Sequence, residues 1–264
     1  MNQHDSMEKV VAIALEAGRA IMQVYNGEIA VTHKEDDSPL TQADLAAHHI
    51  IEQGLSQLAP QLPILSEESV ALPYAERRVW ESYWLVDPLD GTREFIKRNG
   101  EFTVNIALIE NHVPVLGVVY APALDLLFYA SKGNGAFRKI GSKPPQPIVA
   151  RAFDATQVTV AGSRSHAGER LIGFLSNMGP HMLISMGSSL KICLVAEGRA
   201  DVYPRLGPTS EWDTAAAQCV LTEAGGRLVG LDNRPFRYNT KESLLNPDFF
   251  ATGASSHDWS QYLP

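Results

Sequence analysis

Val10, Ile13, Ala17, Ile21 and Val24 fall at three- and four-residue intervals, the period of an amphipathic helix, and Gly27 offers a left-handed stop. A polar stretch from His33 to Pro39 follows. Thr41-Gln42-Ala43-Asp44 has the form of a capping box and predicts a second helix through Leu45, Ile51, Leu55 and Leu58, closed by Pro60. Leu62 to Leu65 reads as a short strand that delivers Glu67 and Glu68 at its end. From Trp84 to Tyr129 the pattern becomes strand-like, with β-branched and alternating runs at Leu85-Val86, Thr103 to Ile109, Val115 to Tyr120 and Leu126 to Tyr129. Gly141 to Pro147, polar and carrying three prolines, is expected to be a linker.

Beyond it the two periods alternate. Strands are expected at Val158 to Ala161, Met182 to Ser185, Asp201 to Tyr203 and Arg227 to Val229. Helices are expected from about Ala167 to Asn177, from Ser188 to Ala196 and from about Trp212 to Glu223. The pattern therefore predicts an α/β (α+β) chain of stacked helix and sheet layers. Residues 1–145 form one half with an antiparallel-type sheet, and residues 146–264 a second half of alternating type. No internal repeat or low-complexity tract occurs.

Composition narrows the partners. The chain has 264 residues, 45% hydrophobic and 20% charged, with net charge -8. An acidic surface argues against a nucleic-acid polymer as partner, since polyanion binding needs basic surface. A small phosphorylated ligand stays compatible if bound cations invert the local charge. Cys193 and Cys219 lie in apolar segments without metal-ligand spacing and read as buried thiols in a reducing cytosol. No uninterrupted apolar run is long enough to span a bilayer, and Glu16 and Arg19 break the N-terminal apolar stripe. A cytoplasmic location is expected, with no more than loose peripheral membrane contact.

The chemistry resides in three acidic stretches. Trp84-Leu85-Val86 runs into Asp87-Pro88-Leu89-Asp90-Gly91-Thr92; Ser66-Glu67-Glu68-Ser69 lies upstream; Glu211-Trp212-Asp213-Thr214 lies far downstream. Asp-Pro-Leu-Asp-Gly alone is also a good generic turn, Glu67-Glu68 alone a solvated pair, and Asp213 alone a helix-start acid. Their conjunction beside apolar sequence points to one pocket that collects cations. Magnesium takes hard oxygen ligands, so Asp87 and Asp90, converging across a turn with the Leu89 carbonyl, suit it. Gly91-Thr92 opens a helix whose first amides can receive a phosphate.

Asp87-Pro88-Leu89-Asp90-Gly91-Thr92, paired with Trp212-Asp213-Thr214-Ala215-Ala216 and Glu223-Ala224-Gly225-Gly226, resembles the signature pair of the lithium-sensitive, inositol monophosphatase-type phosphatases. The stretch Phe95 to Asn105 and Gly187-Ser188-Ser189-Leu190-Lys191 are similar to the bacterial 3′(2′),5′-bisphosphate nucleotidase branch. The resemblance implies a layered α-β-α-β-α sandwich. It also implies removal of the 3′-phosphate of adenosine 3′,5′-bisphosphate, the by-product of sulfate activation, to give AMP and phosphate.

On the same basis Glu67, Asp87, the Leu89 carbonyl, Asp90 and Asp213 would hold Mg2+. Asp44 would help hold the water-bearing cation, Glu67 and Thr92 would orient and deprotonate water, and the Gly91 and Thr92 amides would take the phosphate. Glu67, Leu89, Asp90, Gly91, Thr92, Ser188 and Asp213 would thus also contact substrate. Lys191 and Arg205 would face its second phosphate, and His166, in Ser163-Arg164-Ser165-His166, its nucleoside. Glu68 would support from behind the ligands. An inositol monophosphatase or sugar bisphosphatase with the same metal centre is the alternative. Ser163 to His166 lacks the strand-elbow-helix pattern of a serine hydrolase. His48-His49, adjacent on the second helix, are expected to point apart and not to chelate jointly.

Overall fold

The computed structural model describes residues 3–27, 31–33, 39–70, 72–163 and 168–264. Helices α1 (Gln3–Tyr25) and α2 (Gln42–Leu58) are separated by a two-stranded antiparallel pair, β1 (Val31–His33) and β2 (Pro39–Thr41). A seven-stranded sheet follows in sequence order: β3 (Ile64–Ser66), β4 (Ser82–Asp90), β5 (Thr103–Glu110), β6 (Val113–Ala121), β7 (Leu126–Ser131), β8 (Ala136–Ile140) and β9 (Gln146–Ile148). Its first pair is parallel and the rest form an antiparallel meander. Short helices α3 (Tyr74–Arg77) and α4 (Thr92–Ile96) follow β3 and β4.

The second sheet contains β10 (Thr159–Ser163), β11 (Met182–Met186), β12 (Val202–Arg205), β13 (Arg227–Gly230) and β14 (Phe249–Thr252), in the order β11-β10-β12-β14-β13. Between its strands run α5 (Glu169–Met178), α6 (Leu190–Ala196) and α7 (Glu211–Glu223).

Side-chain alternation along the strands builds the layers. On one face of the large sheet Trp84, Val86, Val104, Ile106 and Val118 pack under Val10, Ala14, Ala17 and Ile21 of α1 and Ala47, Ile51 and Leu55 of α2. On the other face Tyr83, Leu85, Ala107, Ile109 and Val119 join Leu190 to Ala196 of α6 and Ala215 to Leu221 of α7. The same middle layer is closed from the far side by Tyr203, Leu228, Phe249 and Ala251 of the second sheet. Phe174 of α5 and Trp259 cover that sheet's outer face with Val160, Val202 and Phe250. The order is helix, sheet, helix, sheet, helix, as expected from the sequence.

Two expectations need correction. Gly141 to Pro147 is not a linker: a turn leads into β9, which pairs antiparallel with β8 through Phe137 and Pro147 and closes the edge of the large sheet. Prolines are tolerated there because an edge strand needs no donor on its open side. The Asp87-Pro88-Leu89-Asp90 stretch is not a turn after a strand but the last part of β4.

The middle layer is tight. A Cβ on Gly117 of β6 would lie 2.3 Å from the Ala216 carbonyl oxygen of α7 and 2.8 Å from Cys219 Cβ. Gly117→Ala is expected to lower the unfolding free energy by roughly 1–3 kcal/mol through overpacking, read as a lower urea midpoint. An unchanged midpoint would mean that α7 can retreat from the sheet at no cost.

Candidate active site

The site begins with a parity problem. Side chains three apart on a regular strand face opposite ways. On β4, however, Asp87 lies opposite Asn105 and Asp90 opposite Thr103, so three steps on β4 match two on β5. The extra residue is a β-bulge at the Pro88-Leu89 step, where proline has no ladder hydrogen to give. It turns Leu89 into the α1–α2 core and brings Asp90 onto the Asp87 face, toward α7.

Asp213 enters from α7. It is the third residue of that helix and completes a capping box, accepting the Ser210 backbone N–H at 2.9 Å. The loop between β13 and β14 holds the helix start in place. Leu244 accepts from the Glu211 N–H at 2.8 Å, Ser210 accepts from the Asn246 amide at 2.6 Å, and the Glu211 carboxylate accepts from the Asn239 N–H at 2.8 Å. Burial pushes Glu211 up to about 7.

Asp87, Asp90 and Asp213 offer carboxylate oxygens that all lie within 4.8 Å of one another. Burial raises the pKa of each. For Asp87 the charges of Glu67, Asp90 and Asp213 add to the rise, and for Asp213 that of Asp90 does. Asp90 is partly relieved by the Lys191 ammonium and by the Ser189 N–H, which it accepts at 2.6 Å. Ser189 Oγ in turn meets Asn105 Oδ1 at 2.8 Å and Thr103 Oγ1 at 2.9 Å, joining α6 to the two β5 residues opposite the aspartates.

Glu67 stands at the end of β3, its N–H donated to the Val86 carbonyl, and lines the same cavity. Glu68 lines neither cavity described below. Asp44 caps α2, accepting the Thr41 N–H and hydroxyl at 2.8 and 2.6 Å, while its other oxygen accepts from Thr92 Oγ1 at 3.3 Å. Burial raises the Asp44 pKa. Gly91 adopts φ 92°, a conformation that favours glycine, and a Cβ there would meet Glu101 O at 3.3 Å and Ser188 Cβ at 3.4 Å.

These groups line two adjoining cavities of about 200 and 710 Å3 that share Glu67, Asp90, Gly91, Thr92, Arg205 and Asp213. Lys191 and Ser188 line the smaller, and Asp87 and Leu89 the larger. Lys191 is buried, donates to the Ser188 carbonyl at 2.6 Å, and lies 5.4 Å over the Tyr203 ring. Burial lowers its pKa to about 8 against the opposing pull of Asp90. Arg205 donates to the Pro208 carbonyl at 2.6 Å. His166 lies outside the described residues.

The structure thus brings Glu67, Asp87, Asp90, Gly91, Thr92, Ser188, Lys191, Arg205 and Asp213 to one place. Sequence reasoning assigned no role to Thr103, Ser189 or Tyr203, although Thr103 and Ser189 lie in the two stretches similar to the nucleotidase branch. The expectation that His48 and His49 diverge is also corrected: their rings lie 5.5 Å apart, because imidazole arms can lean together across one helical step.

Three desolvated carboxylates and a neighbouring glutamate fit a hard divalent cation, since they offer oxygen donors and an added positive charge relieves their repulsion. The chain belongs to the inositol monophosphatase family, whose sequence profile matches residues 3–258; the family is metal-dependent. It is 50% identical over 248 residues to the 3′(2′),5′-bisphosphate nucleotidase CysQ of Salmonella typhimurium, covering 93% of this chain and 99% of that protein. In structure it is similar to CysQ from Bacteroides thetaiotaomicron, a bacterial member of the same family, with TM-score 0.83 and 41% identity over 95% of this chain and 97% of that one. An inositol monophosphatase from Anabaena superposes with TM-score 0.80 at 27% identity over 100% and 98% of the two chains.

The raised carboxyl pKa values set a pH dependence. Protonated, these groups stabilise the fold below their ordinary value of 3.8, and that contribution is lost as pH climbs through the raised values. The Tm of metal-free protein is therefore expected to fall as pH rises above the ordinary carboxylate value. Added magnesium should raise Tm more at higher pH, where protons no longer compete for the ligand oxygens. Asp87→Asn should remove most of that increment. Calorimetric scans with and without chelator check both; a pH-independent increment retained in Asp87→Asn would place the cation elsewhere.

Proposed function

We propose that this chain is a magnesium-dependent phosphatase that removes the 3′-phosphate of adenosine 3′,5′-bisphosphate, releasing AMP and phosphate. The reading rests above all on the convergence of Asp87, Asp90 and Asp213 within 4.8 Å at one cavity. The near full-length similarity to 3′(2′),5′-bisphosphate nucleotidases supports the choice of substrate. Two buried free cysteines accord with a cytoplasmic location, and among the described residues no helix is long and apolar enough to cross a membrane.

In this reading Glu67, Asp87, the Leu89 carbonyl, Asp90 and Asp213 hold magnesium. Bound there, the cation lowers the pKa of water and neutralises phosphate oxygens. The protein's own part is positional and protonic. Thr92 Oγ1 donates to Asp44 Oδ1, so its lone pairs accept a proton from the attacking water while Asp44 receives the one Thr92 releases. Glu67 orients that water from the end of the neighbouring parallel strand β3. The Gly91 and Thr92 amides take phosphate oxygens, as the left-handed Gly91 allows close approach. Lys191 and Arg205 face the second phosphate, Ser188 lies beside it, and His166 is assigned to the nucleoside.

Phosphate release across a panel of nucleotide, inositol and sugar phosphates tests the reading directly. Adenosine 3′,5′-bisphosphate should be the best substrate, with turnover lost on chelation. Asp87→Ala should cost at least about a thousandfold in kcat, a loss of several kcal/mol of transition-state stabilisation. Metal-stimulated turnover at the wild-type level in that variant, or preference for inositol 1-phosphate, would overturn it.

Arg205→Ala is expected to raise KM for the bisphosphate by about tenfold or more, the worth of one charged hydrogen bond. Adenosine 3′-monophosphate, which lacks the second phosphate, should be indifferent to the change. Equal effects on both substrates would remove Arg205 from the second-phosphate site.

A further inference from the structure

A second set of ligand-type side chains, sharing no residue with the aspartate cluster, lies on α2. His48, His49 and Glu52 offer ring nitrogens and a carboxylate oxygen that all fall within 4.8 Å of one another. The three are unlike the aspartate cluster in donor chemistry, with two imidazoles and one carboxylate. They also differ in exposure: His49 and Glu52 stand in solvent, while the His48 side chain is only 10% exposed.

His48 is the anchor. Its Nδ1 lies 3.0 Å from the buried Ser66 hydroxyl, which fixes the ring plane, and its Nε2 is aimed outward at Glu52 Oε2, 3.8 Å away. A histidine held through one nitrogen by the protein, with the other presented beside a carboxylate, is the arrangement that metal-ligating histidines adopt. Burial lowers the His48 pKa, so the neutral ring that a metal requires is favoured over the cation that would pair with Glu52. The His49 ring stands 5.5 Å from that of His48, tilted by 51°.

We propose that His48, His49 and Glu52 form a peripheral site for a borderline divalent metal ion of the zinc class. Two histidines and a glutamate are a known zinc donor set, and the exposed side of the site leaves room for a water as fourth ligand. Magnesium, which takes oxygen donors and dehydrates reluctantly, is a poor occupant. The site is independent of the phosphatase reading: its donors share no residue with the acidic cluster.

Isothermal titration of the full-length chain with Zn2+ in excess Mg2+ tests it. Wild type should show one zinc equivalent that persists in an Asp87→Asn/Asp213→Asn double variant, which disables the acidic centre. His49→Ala and Glu52→Ala, both at exposed positions, should each weaken that equivalent by about tenfold or more, with Tm unchanged in zinc-free buffer. Wild-type zinc affinity in both single variants, or complete loss of zinc uptake in the double variant, would overturn the proposal.

Discussion

Like charges drawn out of water into one place set the terms for this molecule. Three carboxylates with oxygens within 4.8 Å are unfavourable wherever they are put, so the fold has to force them together and hold them there. It does so from two directions that have little to do with each other locally. A bulge at the end of β4 corrects the side-chain parity of Asp87 and Asp90, and the first turn of α7 brings Asp213 across the middle layer. The capping box, the loop tied over Ser210 and Glu211, and the close seat of α7 on Gly117 keep that turn from backing away.

The opposing charges are placed with similar economy. Lys191 sits under the cluster, its ammonium fixed by the Ser188 carbonyl and the Tyr203 ring, where it moderates Asp90 without neutralising the whole site. Ser189 does a related job through dipoles: its N–H goes to Asp90 and its hydroxyl to the two β5 residues opposite the aspartates. One short segment at the start of α6 thus links the second sheet's side of the molecule to the strand of the first that carries Asp87 and Asp90.

Local signals in the sequence were read well where the physics is local. Thr41 and Asp44 form the capping box that their spacing implies, and the helices of the middle layer lie where apolar runs put them. The failures have different sources. Gly141 to Pro147 looks like a linker because its prolines and polar residues hide a short strand that folds straight back on β8, the segment just before it. Asp87 to Asp90 looks like a turn because the bulge is defined only against β5. His48 and His49 look divergent from helical angles alone, since rotamer choice, set partly by Ser66 on another element, does not appear in the one-dimensional pattern. That the acidic motifs meet was inferable only by taking them together.

The division of the acidic residues along the chain has a consequence for synthesis on the ribosome. Glu67, Asp87 and Asp90 are made early and their sheet is complete by β9, whereas Asp213 arrives more than a hundred residues after Asp90. A nascent chain holding the whole first sheet still lacks the third carboxylate and the helix layer that covers that face. Assembly of the cluster therefore coincides with closure of the middle layer, and the emerging polypeptide carries an incomplete set of carboxylates until its final third is in place.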